Sequence, residues 1–64
     1  MTNAPDILIF VVPKTLTDGS TVYNVEISEL AIEATSKDEA EEIAQTIVDA
    51  INEGSNTTAE WLLQ

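Results

Sequence analysis

The sequence contains no cysteine, no histidine and no arginine, and Lys14 and Lys37 are its only basic residues. The absence of cysteine excludes disulfides and thiolate metal sites, and the absence of histidine excludes His-based triads and His zinc sites. Twelve Asp and Glu residues among 64 give a net charge of −10, and two lysines cannot clamp a nucleic-acid backbone. We therefore expect a protein that is not an enzyme, holds no cofactor or metal and does not bind nucleic acid directly.

Long apolar runs are absent as well. The longest strongly apolar run, residues 7–12, is too short for a membrane span or for the core of a signal peptide. Residues 1–6 lack the positive charge that precedes such a core, and an acidic chain is repelled by anionic lipid. We expect a soluble, intracellular, cytoplasmic protein that does not bind membranes, located in the host cytoplasm if the chain is viral.

Hydrophobic patterning predicts one small α+β domain. Residues 1–6 are interpreted as a frayed N-terminus, residues 7–54 as a ββ(β)α domain and residues 55–64 as a short C-terminal helical segment. Residues 7–12 and 21–27 are rich in β-branched side chains, which favours strands. Asp18-Gly19 between them is typical of a two-residue hairpin turn.

A two-residue loop at this turn also predicts a register, with Phe10 opposite Ile27 and Val12 opposite Val25. One face of the hairpin is then apolar, and we expect it to pack on a helix; it carries Leu8, Phe10, Val12, Tyr23, Val25 and Ile27.

Past Ile27 the alternation of apolar residues slips by one position. Either a bulge near residues 28–29 continues the second strand, or a tight turn there starts a third strand at residues 30–34. We favour one long, bent strand, and a three-stranded meander is the alternative.

The helix is predicted over residues 36–53. Ser36 and Glu39 form a capping box, and Gly54 offers a left-handed stop. An apolar stripe follows the box at helical spacing and consists of Ala40, Ile43, Ala44, Ile47, Val48 and Ile51. A second box, Thr57 with Glu60, predicts one or two helical turns at the C-terminus.

Four acids of this helix form the first candidate partner-binding surface. On a helical wheel they lie opposite the apolar stripe, and they are Asp38, Glu42, Asp49 and Glu53. Two like-charge pairs four residues apart result, and such pairs destabilise a helix. One interpretation is a solvated face selected for solubility or for a salty cytoplasm. The other is a negative field directed at a basic surface of another protein.

The second candidate surface is apolar, because the first strand has large side chains on both of its faces. A single helix covers one face and leaves the other exposed, and such patches are seldom bare in soluble monomers. The residues predicted to bind a partner or a second copy are Ile7, Ile9, Val11, Trp61 and Leu62. Alternatively, the segment with Trp61 folds back and covers the patch within the chain.

These surfaces predict a small acidic protein-binding module. We expect a regulator or inhibitor that occupies a basic surface of a larger protein, one that could itself normally hold nucleic acid. Virus-encoded host-modulating proteins of similar size and charge act in this way, which is an analogy only. The alternative is a structural or accessory subunit that assembles with itself, as a homodimer, or with a larger complex through a free edge of its first strand. If residues 30–34 flank that strand instead, it has no free edge.

Overall fold

A computed structural model describes residues 4–54 and 56–64. Its elements, in chain order, are β1 (Ile7–Thr15), β2 (Thr21–Ile27), β3 (Leu30–Ala34), α1 (Lys37–Gly54) and β4 (Ala59–Leu63). The strands form one sheet in the order β3-β2-β1-β4, and α1 contacts all four strands. The predicted α+β class is therefore confirmed.

The C-terminal segment is a strand, so the predicted short C-terminal helix is wrong. β4 pairs in parallel with β1, placing Ala59 opposite Ile7 and Trp61 opposite Ile9. Asp6 and Thr58 fix the start of this pairing through two hydrogen bonds to the Asp6 carboxylate, from the Thr58 amide (3.1 Å) and the Thr58 hydroxyl (3.3 Å). Asp6, assigned from the sequence to the frayed start, is thus bound to the sheet, whereas residues 1–3 lie outside the described part.

Residues 28–29 form a tight turn and β3 is a separate strand, so the favoured long, bent strand is wrong; the alternative with a third strand is met in part, because the sheet has four strands. Ile27 pairs with Leu30 across this two-residue turn. Ser28 adopts a positive φ of 54°, which matches the first central position of a type II′ hairpin turn. The antiparallel meander β1-β2-β3 is then extended by β4 on its other side.

The predicted register of the first hairpin is wrong by one residue. Thr15 pairs with Thr21 and Val11 with Val25. The loop has three residues rather than two, since the Leu16 amide donates to the Ser20 carbonyl (2.8 Å) and only residues 17–19 lie between them. Of Asp18 and Gly19 only Gly19 has a positive φ, whereas the expected two-residue turn requires a positive φ at both positions. One extra loop residue turns every side chain of β1 to the opposite face.

α1 begins as the sequence predicts. The Glu39 amide donates to the Ser36 hydroxyl (3.1 Å), and the Glu39 carboxylate accepts a hydrogen bond from the Thr35 amide (3.1 Å). Ser36 is therefore the N-cap. At the other end Gly54 is the last helical residue, but its φ is not positive, so the predicted left-handed stop is absent at this glycine.

The core lies between α1 and one face of the sheet. Ile9, Val11 and Val25 are its largest fully buried side chains. The helix contributes Ala40, Ala44 and Val48 to the same cluster. β3 and β4 both run parallel to β1, so α1 is the crossover that carries the chain from one edge of the sheet to the other.

Candidate protein-binding surfaces

The sheet face opposite α1, called the outer face below, has an apolar centre. Strand alternation places Leu8, Phe10 and Val12 of β1 on it, because Ile9 and Val11 point into the core. Leu62 of β4 lies beside Phe10 in the register. Leu8 and Leu62 are 37% and 51% exposed, and Phe10 and Val12 are partly exposed. Four large apolar side chains therefore form a continuous surface that α1 does not cover.

Acidic residues border this apolar centre on both sides. On the β2 side Glu26 lies opposite Phe10, and on the β4 side Glu60 lies opposite Leu8. Glu33 on β3 extends the β2 side. We call Glu26, Glu33 and Glu60 the acidic rim. The only basic residue on this face within the described residues is Lys14, past the end of the apolar centre.

The predicted acidic helix face is present. Asp38, Glu42, Asp49 and Glu53 are all exposed on α1. Lys37 is paired with Glu41 at 3.8 Å. These four carboxylates project away from the sheet, because α1 buries the side that carries Ala40, Ala44 and Val48.

A hydrogen-bonded chain links the acidic helix face to β4. The Trp61 indole N–H donates to Gln45 Oε1 at 2.9 Å, and Gln45 Nε2 donates to Asp49 Oδ1 at 2.9 Å. The ring of Trp61 packs against the core. Asp49 and Trp61, one from each predicted surface, are thus joined through Gln45, which the sequence analysis did not single out.

The residues predicted to form the apolar partner-binding surface lie on two different faces of the sheet. Ile9 and Val11 are fully buried beneath α1, and Ile7 and Trp61 are partly buried against the same core. No partner can reach Ile9 or Val11 in this fold, so their predicted exposure is wrong. Leu62 alone lies on the outer face.

The free edge considered for the first strand is also absent. β1 is flanked by β2 over Ile9–Thr15 on one side and by β4 over Ile7–Val11 on the other, so the apolar part of the strand lies between two neighbours. The flanking strand is β4, and not residues 30–34 as the alternative supposed. The apolar residues Ile7–Val11 therefore offer no free edge on the β4 side.

The predicted register put Leu8, Phe10 and Val12 on the face that packs on the helix, and the structure places them on the outer face. Both faces of β1 are apolar, so its composition cannot distinguish them. A usable signal was present on β2: Asn24 and Glu26 alternate with Val25, and polar residues on an otherwise apolar hairpin mark the face turned to water.

Within residues 4–54 and 56–64 no three acidic side chains converge in a way that could hold a metal ion. An open groove of about 460 Å³ beside the end of α1 is lined mainly by amides and threonines, with Glu60 as its one titratable residue among those described. Across the same ranges, no helix combines the length and the apolar character needed to cross a membrane.

Hydrogen bonds in the first hairpin turn lower the pKa of Asp18. The hydroxyl and the amide of Ser20 donate to Asp18 Oδ1 at 2.6 and 2.9 Å, and these bonds lower the pKa of the carboxyl below its ordinary value of 3.8. Both hydrogen bonds that lower this pKa lie within the hairpin turn. A hydrogen-bonded turn aspartate is a common structural feature and indicates no chemistry.

Comparison of the chain with models of protein families, with curated proteins and with solved structures finds no match in any of the three.

Proposed function

We propose that this chain is a small acidic protein-binding module without enzymatic activity, a regulator or inhibitor that occupies a basic surface of a larger protein. The observation that carries the proposal is the acidic helix face. Its four carboxylates, Asp38, Glu42, Asp49 and Glu53, are exposed together on one side of α1.

The arrangement of these acids is unfavourable for the isolated helix. Asp38 with Glu42 and Asp49 with Glu53 are like-charge pairs four residues apart, each costing roughly 0.2–0.5 kcal/mol. Glu53 also lies in the last turn, where the helix dipole is negative and where no basic residue compensates. In our proposal this cost to the helix is offset by the attraction of these acids to a basic partner.

The mechanism we propose has two parts. The acidic helix face and the net charge of −10 accelerate encounter with a positively charged protein surface. Apolar side chains exposed on the sheet then supply affinity, since desolvated apolar and aromatic anchors contribute most of the binding energy in protein interfaces.

The test compares two double variants that each remove two negative charges. Asp49→Asn with Glu53→Gln changes the acidic helix face, and Asp18→Asn with Glu29→Gln, at exposed acids of the two hairpin turns, is the matched control. A protein captured by the immobilised chain from a lysate of its source organism is purified, and its association rate is measured over a range of salt concentrations. We expect the rate to fall as salt rises, and the helix variant to lose more rate than the control.

Equal association rates for both double variants and for the unchanged chain would refute a functional role for the acidic helix face and leave solubility as the reason for these acids. Sedimentation of the chain alone tests the accessory-subunit alternative. Apolar self-assembly holds or tightens as salt rises, which is the opposite of a steered encounter.

A further inference from the structure

We propose that the outer face binds a cationic amphipathic helix of the partner, laid along β1. The inference rests on the proposed function and specifies which surface of the chain supplies the affinity. It also names the chemistry of the partner segment: an apolar stripe two to three turns long with Lys or Arg on both sides of it.

The apolar centre has the dimensions of a helix stripe. Leu8 and Val12 are four residues apart on β1, which corresponds to about 13 Å along a strand. An α-helix rises about 5.4 Å per turn, so two to three turns cover this distance. Across the strands the centre is narrow: it spans β1 and Leu62 of β4, and it is bounded by Glu26 on β2.

The acidic rim specifies the charge of the occupant. Glu26 and Glu33 lie on one side of the apolar centre, and Glu60 lies on the other. A helix with an apolar stripe presents its flanking residues to both sides at once. Lysine or arginine at the flanks would meet carboxylates on both sides, whereas acidic flanks would meet like charge.

A second copy of the chain fits this face poorly. In a symmetric dimer the same patch meets itself, so the acidic rims of both copies would be brought together. Each copy carries a net charge of −10, and only Lys14 on the outer face could offset it. The helix of the chain itself is unavailable as a cover, because α1 packs its apolar stripe on the opposite face.

The probe for the test is a synthetic 14-residue peptide of leucine and lysine with the leucines at helical spacing. Its control is a peptide of identical composition with the leucines placed so that no helical stripe forms. Binding is measured by anisotropy of the labelled peptide, and the contact surface is mapped by amide chemical-shift changes of the chain. We expect the striped peptide to bind and to shift amides of β1 and β4, with little binding of the control peptide.

Two matched variants localise the binding. Leu8→Thr with Leu62→Thr removes two exposed leucines from the outer face and keeps a strand-compatible residue at each position. Leu30→Thr with Ile32→Thr removes two side chains of β3 on the other face, which are 71% and 41% exposed. We expect the first variant to lose at least ~10-fold in affinity, which corresponds to about 1.4 kcal/mol, and the second to bind as the unchanged chain does.

Each other outcome overturns the inference. Equal binding of the two peptides, or equal affinity of the two variants, would show a general charge attraction. Shifts confined to α1 would move the contact to the acidic helix face, which would leave the proposed function intact. A dimer of the chain that dissociates in the Leu8→Thr/Leu62→Thr variant would assign the face to a second copy. Absence of binding would reject this occupant, and the association rates described above would still decide the proposed function separately.

Folding of every variant is checked independently of binding. Trp61 is the only tryptophan, and its ring packs on the helix side of the sheet, away from the outer face. An emission maximum unchanged from that of the unchanged chain therefore reports an intact core, whatever happens on the opposite face.

Discussion

Phe10 on β1 lies directly opposite Glu26 on β2, on the face of the sheet that α1 does not cover. A glutamate paired with an aromatic ring beneath a helix would be a buried, unpaired charge, which is costly. The pair therefore has to face solvent, and its neighbours Ile9 and Ile27 take the side under the helix. The pairing of Phe10 with Glu26 therefore determines which face of β1 belongs to the core and which face is exposed to solvent.

The first prediction follows from this division of β1. Ile9→Lys is expected to unfold the chain, because Ile9 is fully buried and an ammonium there has no partner. Leu8→Lys, one residue away, is expected to leave the chain folded, since Leu8 is 37% exposed next to Glu60. Circular dichroism and urea denaturation compare the two. If Leu8→Lys unfolded the chain and Ile9→Lys did not, the result would support the register predicted from a two-residue turn instead.

The second prediction concerns the bond between Trp61 and Gln45. A double-mutant cycle with Trp61→Phe and Gln45→Ala is expected to give a coupling energy of about 0.5–1.5 kcal/mol, typical of one hydrogen bond. The control cycle pairs Trp61→Phe with Thr46→Ala, an exposed neighbour on the same helix, and is expected to be additive. Urea denaturation measures both cycles, and additivity in the first would mean that the bond does not contribute to stability.

The third prediction concerns Asn52, which holds the beginning of β4. Its Oδ1 accepts from the Ala59 amide at 2.9 Å, and its Nδ2 donates to the Ala59 carbonyl at 3.4 Å. Ala59 is 3% exposed, so Asn52→Leu leaves its amide without this partner and is expected to cost about 1–3 kcal/mol of unfolding free energy. Asn52→Asp keeps the shorter bond and should cost less. Thermal or urea denaturation measures the unfolding free energy of both variants. Equal losses of stability in Asn52→Leu and Asn52→Asp would contradict a role for the Oδ1 acceptor.

The fourth prediction concerns the ionisation of Asp18. The hydroxyl and amide of Ser20 bind the ionised carboxylate, so the pKa of Asp18 is lower in the folded chain than its ordinary 3.8. The stabilisation of the turn is thus fully present above pH 3.8 and is lost as the pH falls through the lower, folded-state pKa. NMR titration should find the pKa below 3.8 and shifted upwards in Ser20→Ala. An unchanged pKa in that variant would contradict the role of the hydroxyl.

Local signals in the sequence determined the helix and two of the strands. The start of α1 was predictable because the capping box of Ser36 and Glu39 satisfies backbone groups within four residues of chain. The acidic helix face followed from the same periodicity, since four exposed acids opposite an apolar stripe need only helical geometry. β1 and β2 were located by their β-branched runs and by the turn at Gly19.

Only the tertiary structure decided the identity of β4, the face of β1 that is buried and the central place of β1 in the sheet. Residues 59–63 are too short and too ambiguous to specify their own conformation, and their partner β1 begins 52 residues upstream of Ala59. β1 is apolar on both faces, so its sequence does not indicate which face is buried. The buried face is set by the register with β2, and that register follows from the one additional loop residue before Ser20. These features depend on contacts between distant parts of the chain, whereas the capping box and the amphipathic stripe are contained within one short segment.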